Sequence, residues 1–203
     1  MTDQAPADHP DPAPSIELFF DVGSPYAWLA AERVESLLGP VVWRPVLLGG
    51  IFAAVGRSSW AQTDARDAGI AEIERRAADR GLPPVVWPER WPNDGLRAMR
   101  AAAWADRVST PGHDAVRAFA LAALRTHFVD GLPLDDEMHL RAALTAAGLD
   151  ADEGLAATDD PAVKAHLRTS TESAVARGVI GVPTLAFDDR LVWGDDGLDA
   201  FAR

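Results

Sequence analysis

Ile16-Glu17-Leu18-Phe19-Phe20-Asp21-Val22-Gly23-Ser24-Pro25-Tyr26-Ala27-Trp28-Leu29-Ala30 is the stretch that decides how this chain folds. Ile16, Leu18 and Phe20 alternate with Glu17 and Phe19, the two-residue period of a short strand, and Asp21 ends it. Ser24 is a preferred helix N-cap and Pro25 a preferred first helical residue, where a missing N–H costs no hydrogen bond. Tyr26, Ala30, Val34 and Leu37 keep helical spacing until Gly39-Pro40 stops the run. Val41 to Val46 reads as a second strand, with Pro45 marking an edge or a strand end. A right-handed crossover through the helix would pair the two strands in parallel.

From Gly56 to Gly178 the pattern turns helical. Asp64 to Arg80 is charged and Ala-rich and is closed by Gly81; further helices are predicted near Leu96–Arg107, Asp114–Phe128, Asp135–Ala147 and Asp160–Arg177. Leu82 to Pro92 (LPPVVWPERWP) carries four prolines, so it is extended and lies against something apolar. After Gly178 strands return. Val182-Pro183-Thr184-Leu185-Ala186-Phe187, the turn pair Asp188-Asp189 and Leu191-Val192-Trp193 form a hairpin signal, and Gly194-Asp195-Asp196 opens a last helix. The order βαβ, helical block, ββα predicts an α/β fold, a four-stranded mixed sheet with a large all-helical insertion. Residues 1–14, with four prolines and no Lys or Arg, read as a disordered tail. Residues 15–55 and 160–203 read as the α/β domain and 56–159 as the insertion.

Composition excludes several functions. The 203 residues carry 19 basic and 31 acidic side chains, a formal charge of −12, whereas nucleic-acid phosphates are neutralised by Lys and Arg; no nucleic-acid partner is expected. No apolar run reaches the roughly 18 residues of a membrane span. The N-terminus lacks the basic start and apolar stretch of a secretory signal, so a cytoplasmic protein without membrane contact is expected. There is no cysteine, which removes disulfide exchange, an intrinsic thiol nucleophile and thiolate metal sites. The five histidines show no paired metal-ligand spacing, and no metal is expected. Between Arg66 and Arg107 eight arginines face seven acids. They read as solvated helix faces with intrahelical pairs, with reception of an anionic substrate as the sharper alternative.

Three places carry candidate chemistry. In an open α/β sheet ligands bind beyond the carboxyl ends of the parallel strands, which is where Ser24 falls, at a helix N-terminus that favours anions. The bland reading is that its hydroxyl merely caps the helix. Pro183 opens a strand; were Val182-Pro183 cis, the Val182 N–H and C=O would face outward and could pair with a peptide-like ligand. Asp195 and Asp196 either cap the last helix or hold a ligand's ammonium group. Among seven tryptophans, Trp28 and Trp43 read as core, whereas Trp60, Trp87 and Trp91 are placed to line an apolar pocket over Ser24.

Together these places resemble a known family. Phe19 to Ala30 resembles the opening of 2-hydroxychromene-2-carboxylate isomerases and kappa-class glutathione transferases, in the disulfide-oxidoreductase-like branch of the thioredoxin superfamily. Trp43-Arg44-Pro45-Val46-Leu47-Leu48-Gly49-Gly50-Ile51-Phe52 is similar to that family's second strand and following loop. Trp91-Pro92 through Ala98-Met99-Arg100, Gly178 to Thr184, and Trp193-Gly194-Asp195-Asp196 follow in the family's order. The resemblance spans residues 16 to about 200 and implies a thioredoxin-like fold, bound glutathione or another low-molecular-weight thiol, and a homodimer. It implies that Ser24, standing where the redox branch has its first cysteine, donates a hydrogen bond to the cofactor sulfur. Val182 before Pro183 would pair with the tripeptide backbone, and Asp195 and Asp196 would hold its γ-glutamyl end. Arg57 is the candidate for a further anion contact on the cofactor or the substrate carboxylate, while Tyr26, Trp91 and Arg100 are candidates for the substrate. The implied activity is thiol-dependent isomerisation of an aromatic carboxylate by reversible thiolate addition. A kappa-like transferase or peroxidase is the alternative, and a non-enzymatic thioredoxin-fold binding module the second. Two departures stand out. Arg57-Ser58-Ser59 occupies the place of an Asn, a basic residue and a Pro, and Gly197 occupies the place of an Arg. Both sites read the ends of glutathione in the family, which leaves mycothiol as a second possible thiol.

Overall fold

Four short strands form one mixed sheet: β1 (Glu17–Phe20), β2 (Val42–Pro45), β3 (Thr184–Phe187) and β4 (Arg190–Trp193), in the order β2-β1-β3-β4. The structure is a computed structural model describing residues 15–201, so the tail expected at 1–14 lies outside the described residues. β1 runs parallel to β2, with Leu18 opposite Trp43, and antiparallel to β3, with Leu18 opposite Leu185. β3 and β4 form the expected hairpin, and Pro45 is the last residue of an edge strand.

Phe19 and Phe20 are both buried although they point to opposite faces. The sheet is therefore covered twice. On one face Leu18, Phe20 and Leu185 join α1 (Pro25–Ala31), α5 (Leu96–Val108) and α6 (Ala115–Phe128) through Trp28, Ala102 and Phe119. On the other, Phe19, Val46 and Ala186 meet Ile51 of α3 (Leu48–Val55) and Ala174 of α9 (Pro161–Ala176). Trp28 and Trp43 are core, as their spacing suggested. Burying side chains of this size contributes about 1.5–3 kcal/mol or more apiece. The helices α4 (Arg66–Asp79), α7 (Glu137–Ala146) and α8 (Ala151–Ala157) add Ile73, Leu144 and Leu155 to the first cluster, so the helical block shares its core with the sheet. The Pro-rich segment 82–92 is neither helix nor strand and turns at Glu89-Arg90, where the Trp91 N–H donates to the Pro88 carbonyl at 3.1 Å; no helix of the described residues is long and apolar enough to cross a membrane.

Two local readings are corrected. The first helix does not run to Leu37. It ends at Ala31, tightens where the Arg33 N–H donates to the Ala30 carbonyl (3.0 Å), and restarts as α2 (Val34–Leu38). The loop expected after β2 is the helix α3 despite Gly49-Gly50. Distant residues cap it: Thr171 Oγ1 accepts from the Leu47 N–H at 3.0 Å, and Asp21 Oδ2 accepts from the Leu48 N–H at 2.8 Å. Side chains 124 and 27 positions away thus satisfy donors that the local sequence leaves orphaned.

Candidate active site

Ser24 is the N-cap of α1, with Pro25 following, and its Oγ accepts from the Ala27 N–H at 3.3 Å. The capping reading therefore holds. This 3% exposed residue also lines a cavity of about 1040 Å³. A hydroxyl has two lone pairs and one hydrogen. Ala27 uses a lone pair, and among the described residues no acceptor takes the O–H. The Tyr26 N–H likewise has no backbone partner among the described residues. With α1 only seven residues long, the site rests on these individual donors rather than on the dipole of a long helix.

Below Ser24 lies a residue the sequence reading overlooked. Asp21, buried against the cavity, accepts from the Gly23 N–H (2.8 Å) and the Leu48 N–H (2.8 Å), tying the β1–α1 corner to the start of α3. Burial pushes its carboxyl above the usual range, and the two N–H groups pull against that. The signal for it was an acid two residues before Gly23, the spacing of an Asx turn.

Opposite stands Val182. The Val182-Pro183 peptide is cis, and so is Trp91-Pro92. Among the described residues neither the N–H nor the C=O of Val182 has a backbone partner, although both neighbouring strands are paired. Val182 lines the same cavity as Ser24, and the Pro183 carbonyl accepts from the Gly194 N–H at 2.9 Å, fixing the corner that leads into α10 (Asp195–Phe201).

The acidic pair at that corner is divided. Asp195 is 0% exposed, with one oxygen 2.6 Å from Arg76 Nη1 and the other 2.5 Å from Arg80 Nη1. Burial pushes its carboxyl up, and the guanidinium groups of Arg80 and Arg76 pull it back. Asp196 has a side chain 69% exposed and lies 3.8 Å from Arg76. Asp195 is thus committed inside the protein, and only Asp196 is open to a ligand. The balanced arginine stretch is part intrahelical, as in Arg75 with Glu72 and Asp79, and part tertiary. Nothing in the spacing announces the tertiary part, since Arg76 and Asp195 are 119 residues apart.

Aromatic residues form a third side. Tyr26, Trp60 and Trp91 line the cavity, with Trp60 centred 6.3 Å from Tyr26 and 5.4 Å from Trp91. Trp87 stands behind, 4.5 Å from Trp91. The Arg76 guanidinium lies 5.5 Å over the Tyr26 ring, and burial raises that phenol above its usual range. Arg57 lines the cavity with its guanidinium 4.6 Å over Trp193. Of the expected residues, Pro183, Trp87 and Arg100 do not line the cavity. Met99 turns inward, where its sulfur accepts from the Val22 N–H at 3.2 Å, and Arg100, about 100° further round α5, is half-buried. Arg100 does not line the cavity, and its charge acts on Asp159. Ser59 caps a 3₁₀ turn, Trp60–Gln62. At Gly197 a Cβ would come within 2.3 Å of Val192 Cγ1, so any side chain there requires Val192 to move. Among the described residues no group of three or more His, Asp and Glu is arranged to hold a metal.

The DSBA-like thioredoxin domain matches residues 15–203. The chain belongs to that family. Within it, the chain is 29% identical over 192 residues to the 2-hydroxychromene-2-carboxylate isomerase of Sphingobium xenophagum, covering 91% of this chain and 94% of the relative. A solved 2-hydroxychromene-2-carboxylate isomerase superposes with a TM-score of 0.78 at 21% identity, covering 92% of this chain and 91% of that one. The cytosolic disulfide reductase DsbM of Pseudomonas aeruginosa, solved with GSH, has a TM-score of 0.60 at 16% identity, covering 92% and 96%. At those identities the two structures speak for the DSBA-like fold alone. This member of the family carries no cysteine with which to exchange disulfides.

Proposed function

We propose that this chain is an isomerase of an aromatic carboxylate such as 2-hydroxychromene-2-carboxylate, dependent on a glutathione-type thiol whose sulfur is held by Ser24. One observation carries the reading: the Ser24 hydroxyl faces a large cavity with its oxygen satisfied by Ala27 and its hydrogen uncommitted. The similarity to the Sphingobium xenophagum isomerase supports the reaction class.

The residues fit such a thiol. The unpaired N–H and C=O of Val182 offer strand-like hydrogen bonds to a peptide, Asp196 offers a carboxylate to an ammonium group, and Arg57 offers a cation to a carboxylate. When bound, the thiol supplies a sulfur nucleophile whose reversible addition divides one difficult isomerisation into easier steps. The chain's part is to keep that sulfur ionised. Each unit of pKa depression requires about 1.4 kcal/mol of preference for the thiolate, and a hydrogen bond to a charged group contributes about 1.5–3 kcal/mol. The Ser24 O–H therefore accounts for one or two units, enough to bring an ordinary thiol near neutrality. Tyr26, Trp60 and Trp91 provide the apolar surface that an aromatic substrate needs.

The test is turnover of 2-hydroxychromene-2-carboxylate with glutathione and, separately, with mycothiol. Ser24→Ala is expected to lower the thiol-dependent rate about 10- to 100-fold while unfolding remains cooperative. Unchanged turnover in that variant removes Ser24 from the chemistry. Failure of the unaltered protein to turn over with either thiol, and of either thiol to raise its melting temperature, sinks the reading.

A further inference from the structure

The cavity's aromatic side rests on one backbone position. Gly69 is the fourth residue of α4, a place where an L side chain would favour the helix. An added Cβ there would stand 2.2 Å from Cε3, 2.3 Å from Cζ3 and 2.8 Å from Cδ2 of Trp60. No real contact is that short, so the indole lies directly on the backbone of α4. Gly69 does not itself line the cavity, whereas Trp60 does. The ring is thus held between the helix and the open space, flanked by Tyr26 edge-on at 6.3 Å and by Trp91, tilted, at 5.4 Å. Trp91 is pinned in turn, its carbonyl accepting from Arg66 Nη2 at 3.0 Å and its ring lying 4.5 Å from Trp87.

We infer that Gly69 is a specificity-determining position: by seating Trp60 against α4 it sets the depth of an aromatic subsite for a planar two-ring substrate. The subsite takes its occupant by ring contact with Trp60, Trp91 and Tyr26. Any side chain at 69 drives the indole off the helix and into the space that the second ring occupies. The inference deepens the proposed isomerase reading, since it names the part of that substrate which the cavity measures. It requires nothing of Ser24 or Val182, so thiol binding and ring binding are separable.

The experiment reads ring binding directly. Calorimetry on the full chain compares 2-naphthoate, which has two rings and no isomerisable bond, with benzoate, which has one. The unaltered protein is expected to bind naphthoate more tightly than benzoate. Gly69→Ala should weaken naphthoate about 10-fold or more, leave benzoate within about 2-fold, and leave the thiol-induced shift in melting temperature unchanged. Trp60→Leu, and the double variant Gly69→Ala with Trp60→Leu, complete a cycle. With the indole gone the alanine has nothing to displace, so the two variants should bind naphthoate alike. The double variant also covers the case in which Gly69→Ala alone does not fold. Equal naphthoate affinity in Gly69→Ala and the unaltered protein overturns the inference, as does an alanine effect that persists in the Trp60→Leu background, or absence of naphthoate binding altogether. Naphthoate binding that obeys the cycle in a protein without isomerase turnover would uphold the subsite and reject the reaction.

Discussion

The two rims of the cavity handle burial in opposite ways. On the Ser24–Val182 rim the buried polar side chains are held by backbone: Ser24 by Ala27, Asp21 by Gly23 and Leu48. On the rim between α4 and α10 a fully buried carboxylate, Asp195, is clamped by Arg76 and Arg80, and Arg33 reaches Asp199 on the same helix. The first rim leaves donors unused, and those are what a ligand needs. The second spends its charges on holding the C-terminal helix against α4, so it contributes shape and one open carboxylate. On the proposed reading, the chemistry belongs to the less charged rim.

The sharpest way to break that contrast is to remove the clamp. Asp195→Ala leaves Arg80 without its near carboxylate and Arg76 with Glu72 alone close by, and loss of one partner of a buried ion pair costs about 3–5 kcal/mol. Urea unfolding should show a loss of that size; a loss below about 1 kcal/mol would mean that the charged rim is not structural. A second test uses a group that meets burial by staying neutral. His127 is 1% exposed; its Nδ1–H donates to the Leu132 carbonyl at 3.1 Å, and its Nε2 has no partner among the described residues. Burial holds its pKa down to about 4, from the ordinary 6.5. Because the folded value is depressed, the unfolded chain takes up the proton first as pH falls below 6.5. The stability that His127 contributes is therefore complete above pH 6.5 and is lost progressively down to about pH 4, amounting to about 3 kcal/mol. Denaturant midpoints at pH 7 and pH 4.5 should diverge less in His127→Gln than in the unaltered protein. An identical divergence would show that His127 is not held neutral. The smallest expected effect is at Arg75, the neighbour of Arg76, whose exposed side chain pairs with Glu72 and Asp79 on its own helix. Arg75→Ala should shift the melting temperature by less than about 2 °C, as befits an exposed pair. A larger shift would erase the distinction between intrahelical and tertiary arginines on α4.

The same division marks what was legible beforehand. Strand β1, the Ser24-Pro25 helix start, the absence of a helix over 82–92 and the terminal hairpin rest on local rules, and each stands where its residues placed it. The corners of the cavity that sequence could name, Ser24, Val182, Tyr26 and Trp91, lie on or beside those elements. Arg100 was misplaced because one residue of helical phase separates it from the inward-facing Met99. Helix α3 was missed because two glycines lower its propensity and its caps come from β1 and α9. Asp195 and Asp196 look equivalent on paper, and only packing against α4 tells them apart.

By itself the sequence determined the order of strands and helices, the absence of any thiol of the chain's own, and a serine at a strand-to-helix corner. Those follow from backbone propensity, turn chemistry and composition, which act over a few residues. The tertiary structure decided which carboxylate is spent on arginines, how closely Trp60 lies on Gly69, and that the Ser24 hydroxyl opens on the same cavity as Val182. Each of those depends on groups far apart in the chain being brought into contact, and burial and pairing energies exist only once they meet.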